Sequence, residues 1–295
     1  MPWDTIQLND GREIPSLGFG TWKMGNGDGP ITQVDQAISV GFSHIDTAQL
    51  YKNEAEAGIA IRFGTQGNLD HHQIFWDGRA GYPDVYPEQP QIRVSYVDLY
   101  LIHHPLLAVP DIPTVWRQME EIHAQGLSKS IGVSNFDANQ LAILLASAEV
   151  KPAANQILLH PYVYARQLPI LEYAAKHKIV IEAYSALIPI TSLPGGPVDK
   201  PVNAIAGRLG VSGDQVLLAW TKAKGAVVVT TSSKKARLLG YLNAGDLVLT
   251  EDDIAAIDAA GAEGAPLSPV KRIVRRLAGI ALVAFAVGYA LGLRY

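Results

Sequence analysis

Two periodicities alternate along this chain. Short, nearly unbroken apolar runs are separated by longer stretches in which apolar residues return every three or four positions. The runs, at about residues 17–22, 44–48, 97–103, 130–135, 153–158, 179–184 and 226–230, read as buried strands. The stretches at about 34–40, 53–63, 113–125, 138–146, 168–177, 202–209, 212–223, 234–243 and 251–260 read as helices. Ahead of the first run, residues 6–15 carry Asn9-Asp10-Gly11 between apolar flanks, which predicts a hairpin. Strands alternating with helices imply a parallel sheet covered by helices.

Polar side chains collect where the runs end: Asp46, His103, Ser134, Asn135, Gln156, Tyr184, Ser185 and Ser232. In a barrel those ends make one rim, where active sites sit. In a doubly wound sheet they would line a crevice at one switch point. No Gly-x-Gly-x-x-Gly follows the first strand, which argues against a Rossmann nucleotide site. The expectation is an α/β fold, a (β/α)8 TIM barrel with an N-terminal hairpin.

Composition narrows the classes. The 295 residues are 48% hydrophobic and 18% charged, enough for a sizeable core, and the net charge of -4 gives no footprint for nucleic acid. Cysteine is absent, which removes disulfides, thiolate nucleophiles and cysteine metal sites. Met1-Pro2-Trp3-Asp4 lacks the features of a signal peptide, so roughly the first 265 residues read as cytosolic.

The stretch His44-Ile45-Asp46-Thr47-Ala48-Gln49-Leu50-Tyr51 carries the candidate chemistry. It places a carboxylate at a strand end and a phenol five residues on, a plausible proton-transfer pair. A phenol with a pKa near ~10 needs help to act as an acid at neutral pH. The plainer alternative is a helix cap at Asp46 and a packing Tyr51.

The motifs Gly18-Phe19-Gly20-Thr21-Trp22, His44-Ile45-Asp46-Thr47-Ala48 with Tyr51 and Asn53-Glu54, and Val97-Asp98-Leu99-Tyr100-Leu101-Ile102-His103 appear in sequence. They are followed by Gly132-Val133-Ser134-Asn135-Phe136, Asn155-Gln156, His160-Pro161-Tyr162, Ala183-Tyr184-Ser185 and Thr231-Ser232-Ser233. In this order the chain resembles the aldo-keto reductases, closest to their fungal members. The resemblance implies NADPH-dependent reduction of an aldehyde or ketone carbonyl. It implies that Tyr51 protonates the developing alkoxide, that His103 orients or polarises the carbonyl, and that Asp46 belongs to a relay tuning the Tyr. His104 should point the other way along its strand and is set aside. It further implies that Ser134, Asn135 and Gln156 hold the nicotinamide carboxamide, with Tyr184 stacked on the ring. Gly20, Thr21 and Trp22 fall at the rim, Ser185 and Leu187 at the pyrophosphate, and Arg237 at the 2′-phosphate of NADP. Ser232 and Lys234 precede it where the last strand gives way to a helix, whose start with hydroxyls and basic groups reads as an anion site. Thr231 stands where many members carry lysine, which weakens the NADP preference. No metal is implied.

Two departures stand out. Where the family's relay lysine is expected, Ile74-Phe75-Trp76-Asp77-Gly78-Arg79 places Arg79. An arginine keeps the charge but is a bulky fork that cannot give up its proton. The prolines Pro83, Pro87 and Pro90 that follow exclude an ordinary helix. The third strand and helix therefore read as degraded, residues 76–94 being either a misjoined segment of the gene or a loop with altered chemistry. The expected consequence is a reductase with an impaired relay or, alternatively, an inactive NADP-binding barrel acting as sensor or scaffold. The second departure is the tail. Residues 277–293 hold no charge and as a helix would span about 25 Å at ~1.5 Å per residue. Lys271, Arg272, Arg275 and Arg276 precede them, which would keep the barrel on the cytosolic side. The expected organisation is a barrel over 1–265, a basic linker over 266–276 and a membrane anchor over 277–293, with a soluble cytoplasmic chain as the alternative.

Overall fold

The computed structural model describes residues 3–63, 75–80 and 96–266, the middle stretch by its backbone alone. The first elements are β1 (Thr5–Gln7) and β2 (Glu13–Pro15), an antiparallel hairpin turned at Gly11, whose φ of 87° suits glycine. Then come β3 (Leu17–Gly20), α1 (Asp28–Val40), β4 (His44–Asp46), α2 (Glu54–Phe63) and β5 (Phe75–Ala80). They continue as β6 (Val97–Ile102), α3 (Ile112–Ala124), β7 (Ser128–Ser134), α4 (Ala138–Leu145), β8 (Ala154–Leu158) and α5 (Pro161–His177). The last are β9 (Val180–Tyr184), α6 (Ile188–Thr191), α7 (Asp199–Leu209), α8 (Gly213–Ala223), β10 (Val227–Thr230), α9 (Lys235–Asn243) and α10 (Glu251–Ala262).

Eight parallel strands close into a barrel in the order β10-β3-β4-β5-β6-β7-β8-β9. Valine, isoleucine and leucine recur along the strands, two apolar clusters join strands to the surrounding helices, and a third packs α7, α8 and α10 against one another. A fourth cluster lies elsewhere. Leu8 and Ile14, from the hairpin, pack with Leu99, Leu101, Ala153, Ala154 and Val227. The hairpin thus seals the N-terminal end of the barrel, and Asn9 Nδ2 ties it to the Pro152 carbonyl at 2.8 Å.

Local rules set many of the boundaries. Asp111 caps α3 by accepting from Thr114 N at 2.8 Å, and reciprocal capping boxes open α4 (Asp137 with Gln140), α8 (Ser212 with Gln215) and α10 (Thr250 with Asp253). One helix is longer than the pattern suggests: α5 begins at Pro161 rather than near residue 168. Pro161 fits the first helical position, where no backbone N–H is needed. Pro169, inside the same helix, interrupts the pattern in the sequence without ending the helix.

The third barrel strand is present, which corrects the expectation that it is degraded. β5 pairs with β4 through His44 with Phe75, Ile45 with Trp76 and Asp46 with Asp77. On its other side it pairs with β6 through Asp77 with Leu99, Gly78 with Tyr100, Arg79 with Leu101 and Ala80 with Ile102. The reason is that the ladder is made by backbone groups, which unusual side chains do not remove, and a missing strand would leave two open edges. The expected loss of the following helix falls on residues outside the described ones, as do the basic linker and the apolar tail. Among the described residues no helix is long and apolar enough to cross a membrane.

Candidate active site at the barrel rim

The rim is assembled by strand ends. β4 delivers Asp46, which is buried, and the turn after it delivers Tyr51. β6 leads into His103. The Tyr51 and His103 rings meet edge to face with centroids 5.7 Å apart, so the phenol and the imidazole share one corner of the rim. His104 is exposed, and its Nδ1 accepts from Leu106 N at 3.2 Å and caps a short turn.

From His103 a hydrogen-bonded chain runs round the rim across three more strand ends. Asn135 Nδ2 donates to the His103 carbonyl at 3.0 Å and to Ser134 Oγ at 3.1 Å. Ser134 Oγ donates in turn to the Gln156 carbonyl at 3.0 Å, and Tyr184 donates its hydroxyl hydrogen to Asn135 Oδ1 at 2.8 Å. Asn135 sits at φ 63°, a left-handed conformation that asparagine tolerates better than most residues. Ser185 adopts the same region at φ 62°, and the chain then turns through Leu187 into α6.

Inside the barrel the polar set continues. Gln156 Nε2 donates to Asp46 Oδ1 at 3.0 Å and to Glu182 Oε2 at 3.4 Å. Behind Glu182, His44 Nε2 lies 3.9 Å from Glu182 Oε2. His44 Nδ1 meets the Pro15 carbonyl at 3.2 Å, and since a carbonyl only accepts, that nitrogen carries a proton. Two glycines make the room. A Cβ on Gly18 would stand 2.9 Å from His44 Nδ1, and one on Gly20 would stand 3.2 Å from Val229 Cγ1 and 3.4 Å from Asp46 Oδ2. The glycines of β3 therefore give clearance to the His44 ring at Gly18 and to the Val229 side chain at Gly20.

Thr21 Oγ1 contacts Thr47 Oγ1 at 2.9 Å and Asn53 Oδ1 at 3.1 Å, while Asn53 Nδ2 donates to the Thr21 carbonyl at 2.9 Å. This buried cluster locks the β3 and β4 loops together. Trp22 is exposed on its loop, with Lys23 Nζ 4.1 Å from the ring centroid. Leu50 and Leu106, on the loops after β4 and β6, are exposed as well, giving the rim an apolar fringe. On the far side, Lys234 N donates to Ser232 Oγ at 3.2 Å ahead of α9, and Lys234, Lys235 and Arg237 are all exposed. Burial pushes Glu54, at the start of α2, up to about 7. Burial, and then the charge of Glu54, push Tyr100 up to about 12.

Of the residues singled out from the sequence, Asp46, Tyr51, His103, Ser134, Asn135, Gln156 and Tyr184 come together. Gly20, Thr21 and Trp22 border them, and Ser185 and Leu187 follow β9. Ser232, Lys234 and Arg237 form a separate basic edge. Arg79 stands two residues past Asp77, the partner of Asp46, and its side chain lies outside the described ones. His44 and Glu182 were not singled out. The signal was available: each lies two residues before a rim residue on its strand, Asp46 and Tyr184, and so shares its face.

The chain as a whole has recognisable relatives. A model of the Aldo/keto reductase family matches residues 89–192. The chain is 33% identical to a glyoxal reductase of Bacillus subtilis over 266 residues, covering 87% of this chain and 92% of that one. It is 32% identical to an NAD/NADP-dependent indole-3-acetaldehyde reductase of Schizosaccharomyces pombe, covering 85% of this chain and 92% of that one. Among solved structures, an aldo-keto reductase of Bombyx mori in complex with NADP superposes with a TM-score of 0.79 at 28% identity, covering 87% of this chain and 92% of that one.

Proposed function

This chain belongs to the aldo/keto reductase family, an oxidoreductase acting on carbonyl groups, and we propose that it reduces an aldehyde or ketone to an alcohol with NADPH. The observation that carries this reading is the Tyr51–His103 ring pair at 5.7 Å, with Asp46 buried at the end of the strand that leads to Tyr51. Tyr51 delivers a proton to the carbonyl oxygen as negative charge develops there. His103 orients that oxygen. Asp46 and the cation of Arg79 make up the relay, a positive charge near a phenol lowering its pKa.

The rim suits a nicotinamide cofactor. Hydroxyl and amide groups at Ser134, Asn135 and Gln156 can both donate to and accept from a carboxamide. Tyr184 offers a ring face, and Gly20, Thr21 and Trp22 border the same opening. Ser185 and Leu187 would hold the pyrophosphate. Half-buried Ser232 and exposed Lys234 and Arg237, before and within the first turn of α9, would hold a terminal phosphate. Bound reduced nicotinamide supplies the hydride. The NADP in the Bombyx mori structure and the NAD/NADP dependence named for the Schizosaccharomyces pombe relative support this choice.

Arg79 favours a second reading, a barrel that binds the nucleotide and turns over slowly or not at all. NADPH oxidation with a panel of aldehydes, glyoxal and indole-3-acetaldehyde among them, separates the two when run beside a binding titration. Turnover is the expected result, weaker than that of lysine-bearing relatives and raised by Arg79→Lys. Binding without turnover selects the second reading, and no binding ends both. The apolar tail is our ground for placing the enzyme on the cytosolic face of a membrane; full-length protein left in the supernatant after alkaline extraction would reject that placement.

A further inference from the structure

We propose that Glu182 is a positioning residue, which turns the Gln156 side chain so that its NH2 faces into the barrel and the rim reads a ligand through Gln156 Oε1, as an acceptor. The inference rests on the reductase reading above, since it concerns how that site would grip a carboxamide. Gln156 Nε2 lies 3.0 Å from Asp46 Oδ1 and 3.4 Å from Glu182 Oε2. A carboxylate oxygen that carries no proton accepts, and the Gln156 nitrogen directs its N–H bonds at one such oxygen on each side chain. Asp46 alone would hold one of them. Glu182 takes the second, and with it the freedom of the amide to turn over.

Glu182 is well placed for the task. It is fully buried on β9, two residues before Tyr184, with His44 Nε2 3.9 Å from the same oxygen that receives the Gln156 donor. β4 and β8 stand opposite each other in the barrel order, so Gln156 spans the interior and Glu182 braces that span from the side.

Cofactor analogues test this without altering the protein. The acetylpyridine analogue of NADP+ replaces the carboxamide NH2 with a methyl group; the thionicotinamide analogue keeps the NH2. With Gln156 locked as an acceptor, the wild-type protein should bind the acetylpyridine analogue about tenfold more weakly than NADP+, and the thionicotinamide analogue within about threefold, the loss being that of a desolvated acceptor without a donor. Equal binding of NADP+ and the acetylpyridine analogue would overturn the assignment. In Glu182→Leu, or in Glu182→Met if the leucine variant melts early, the amide can turn, and the ratio of the two dissociation constants should fall towards one. Glu182→Gln, which keeps an acceptor oxygen, should restore it. A merely structural role would weaken both ligands alike and leave the ratio where it was, which also overturns the proposal. Wild-type protein that binds no NADP+ would instead strike the reductase reading itself.

Discussion

At the N-terminal end of the barrel, Leu8 and Ile14 lie against Leu99, Leu101, Ala153, Ala154 and Val227. At the other end, several of the same strands run out into His103, Gln156 and Tyr184, joined by hydrogen bonds and facing an open rim. β6 carries Leu99 and Leu101 into the floor and ends one residue short of His103; β8 carries Ala154 into the floor and Gln156 to the rim. One strand therefore does both jobs, separated by a few residues along its length. The floor is closed by apolar burial, which is non-directional and tolerant of chemistry, whereas the rim is held by directional bonds between specific donors and acceptors. Damage to the floor should cost stability and leave the chemistry of the folded fraction alone, and damage to the rim should do the reverse.

The sharpest break of that contrast is Tyr51→Phe. It removes the proton donor, and turnover should fall about 100- to 10,000-fold with NADPH affinity and melting temperature near those of the parent; steady-state kinetics and a thermal melt read both. Next comes the floor. Leu99→Ala should destabilise by about 2–5 kcal/mol, measured by urea unfolding, with kcat per folded molecule unchanged. A change in kcat there would mean that the two ends are coupled. Smaller is Tyr184→Phe, which deletes the donor to Asn135 Oδ1; losing one such bond is worth about 0.5–1.5 kcal/mol, so cofactor binding should weaken by several fold and stability by little.

One buried histidine belongs to neither end. His160, buried at the cap of α5, has Nδ1 without a hydrogen-bond partner among the described residues. Burial, and then the charge of Arg166, lower its pKa from 6.5 to about 4. The folded protein keeps this ring neutral where the unfolded chain already binds a proton. The stability it contributes is thus fully present above 6.5 and is lost as pH falls towards about 4. Urea unfolding at about pH 7 and about pH 5 should show a drop that His160→Gln makes shallower. An unchanged slope would mean that other groups set the acid side.

The elements were legible where periodicity was unbroken, as in β6 with its run of apolar residues and α10 with its Thr250 cap. The chain was misread where local signals conflicted with tertiary need. The prolines around α5 hid its first turns, because Pro161 at a helix start and Pro169 inside one look alike in a sequence. Trp76, Asp77 and Arg79 made β5 look lost, because side-chain pattern stands in for backbone pairing only while it conforms. At the rim, the imidazole and the amides were legible because they lie at or beside strand ends, and the phenol because it follows one by five residues.

Taken alone, the order of residues determined the alternation of strand and helix and the polar character of the strand ends. Those are local properties, written within a few residues of one another. It also carried the family's motifs. Only the closed barrel decided which polar groups meet. Asp46 and Gln156 lie 110 residues apart, and Gln156 and Glu182 lie 26 apart, yet one amide nitrogen serves both carboxylates. Closure brings β4 opposite β8 and sets β9 beside it, and no periodicity within a strand encodes what lies across the barrel from it.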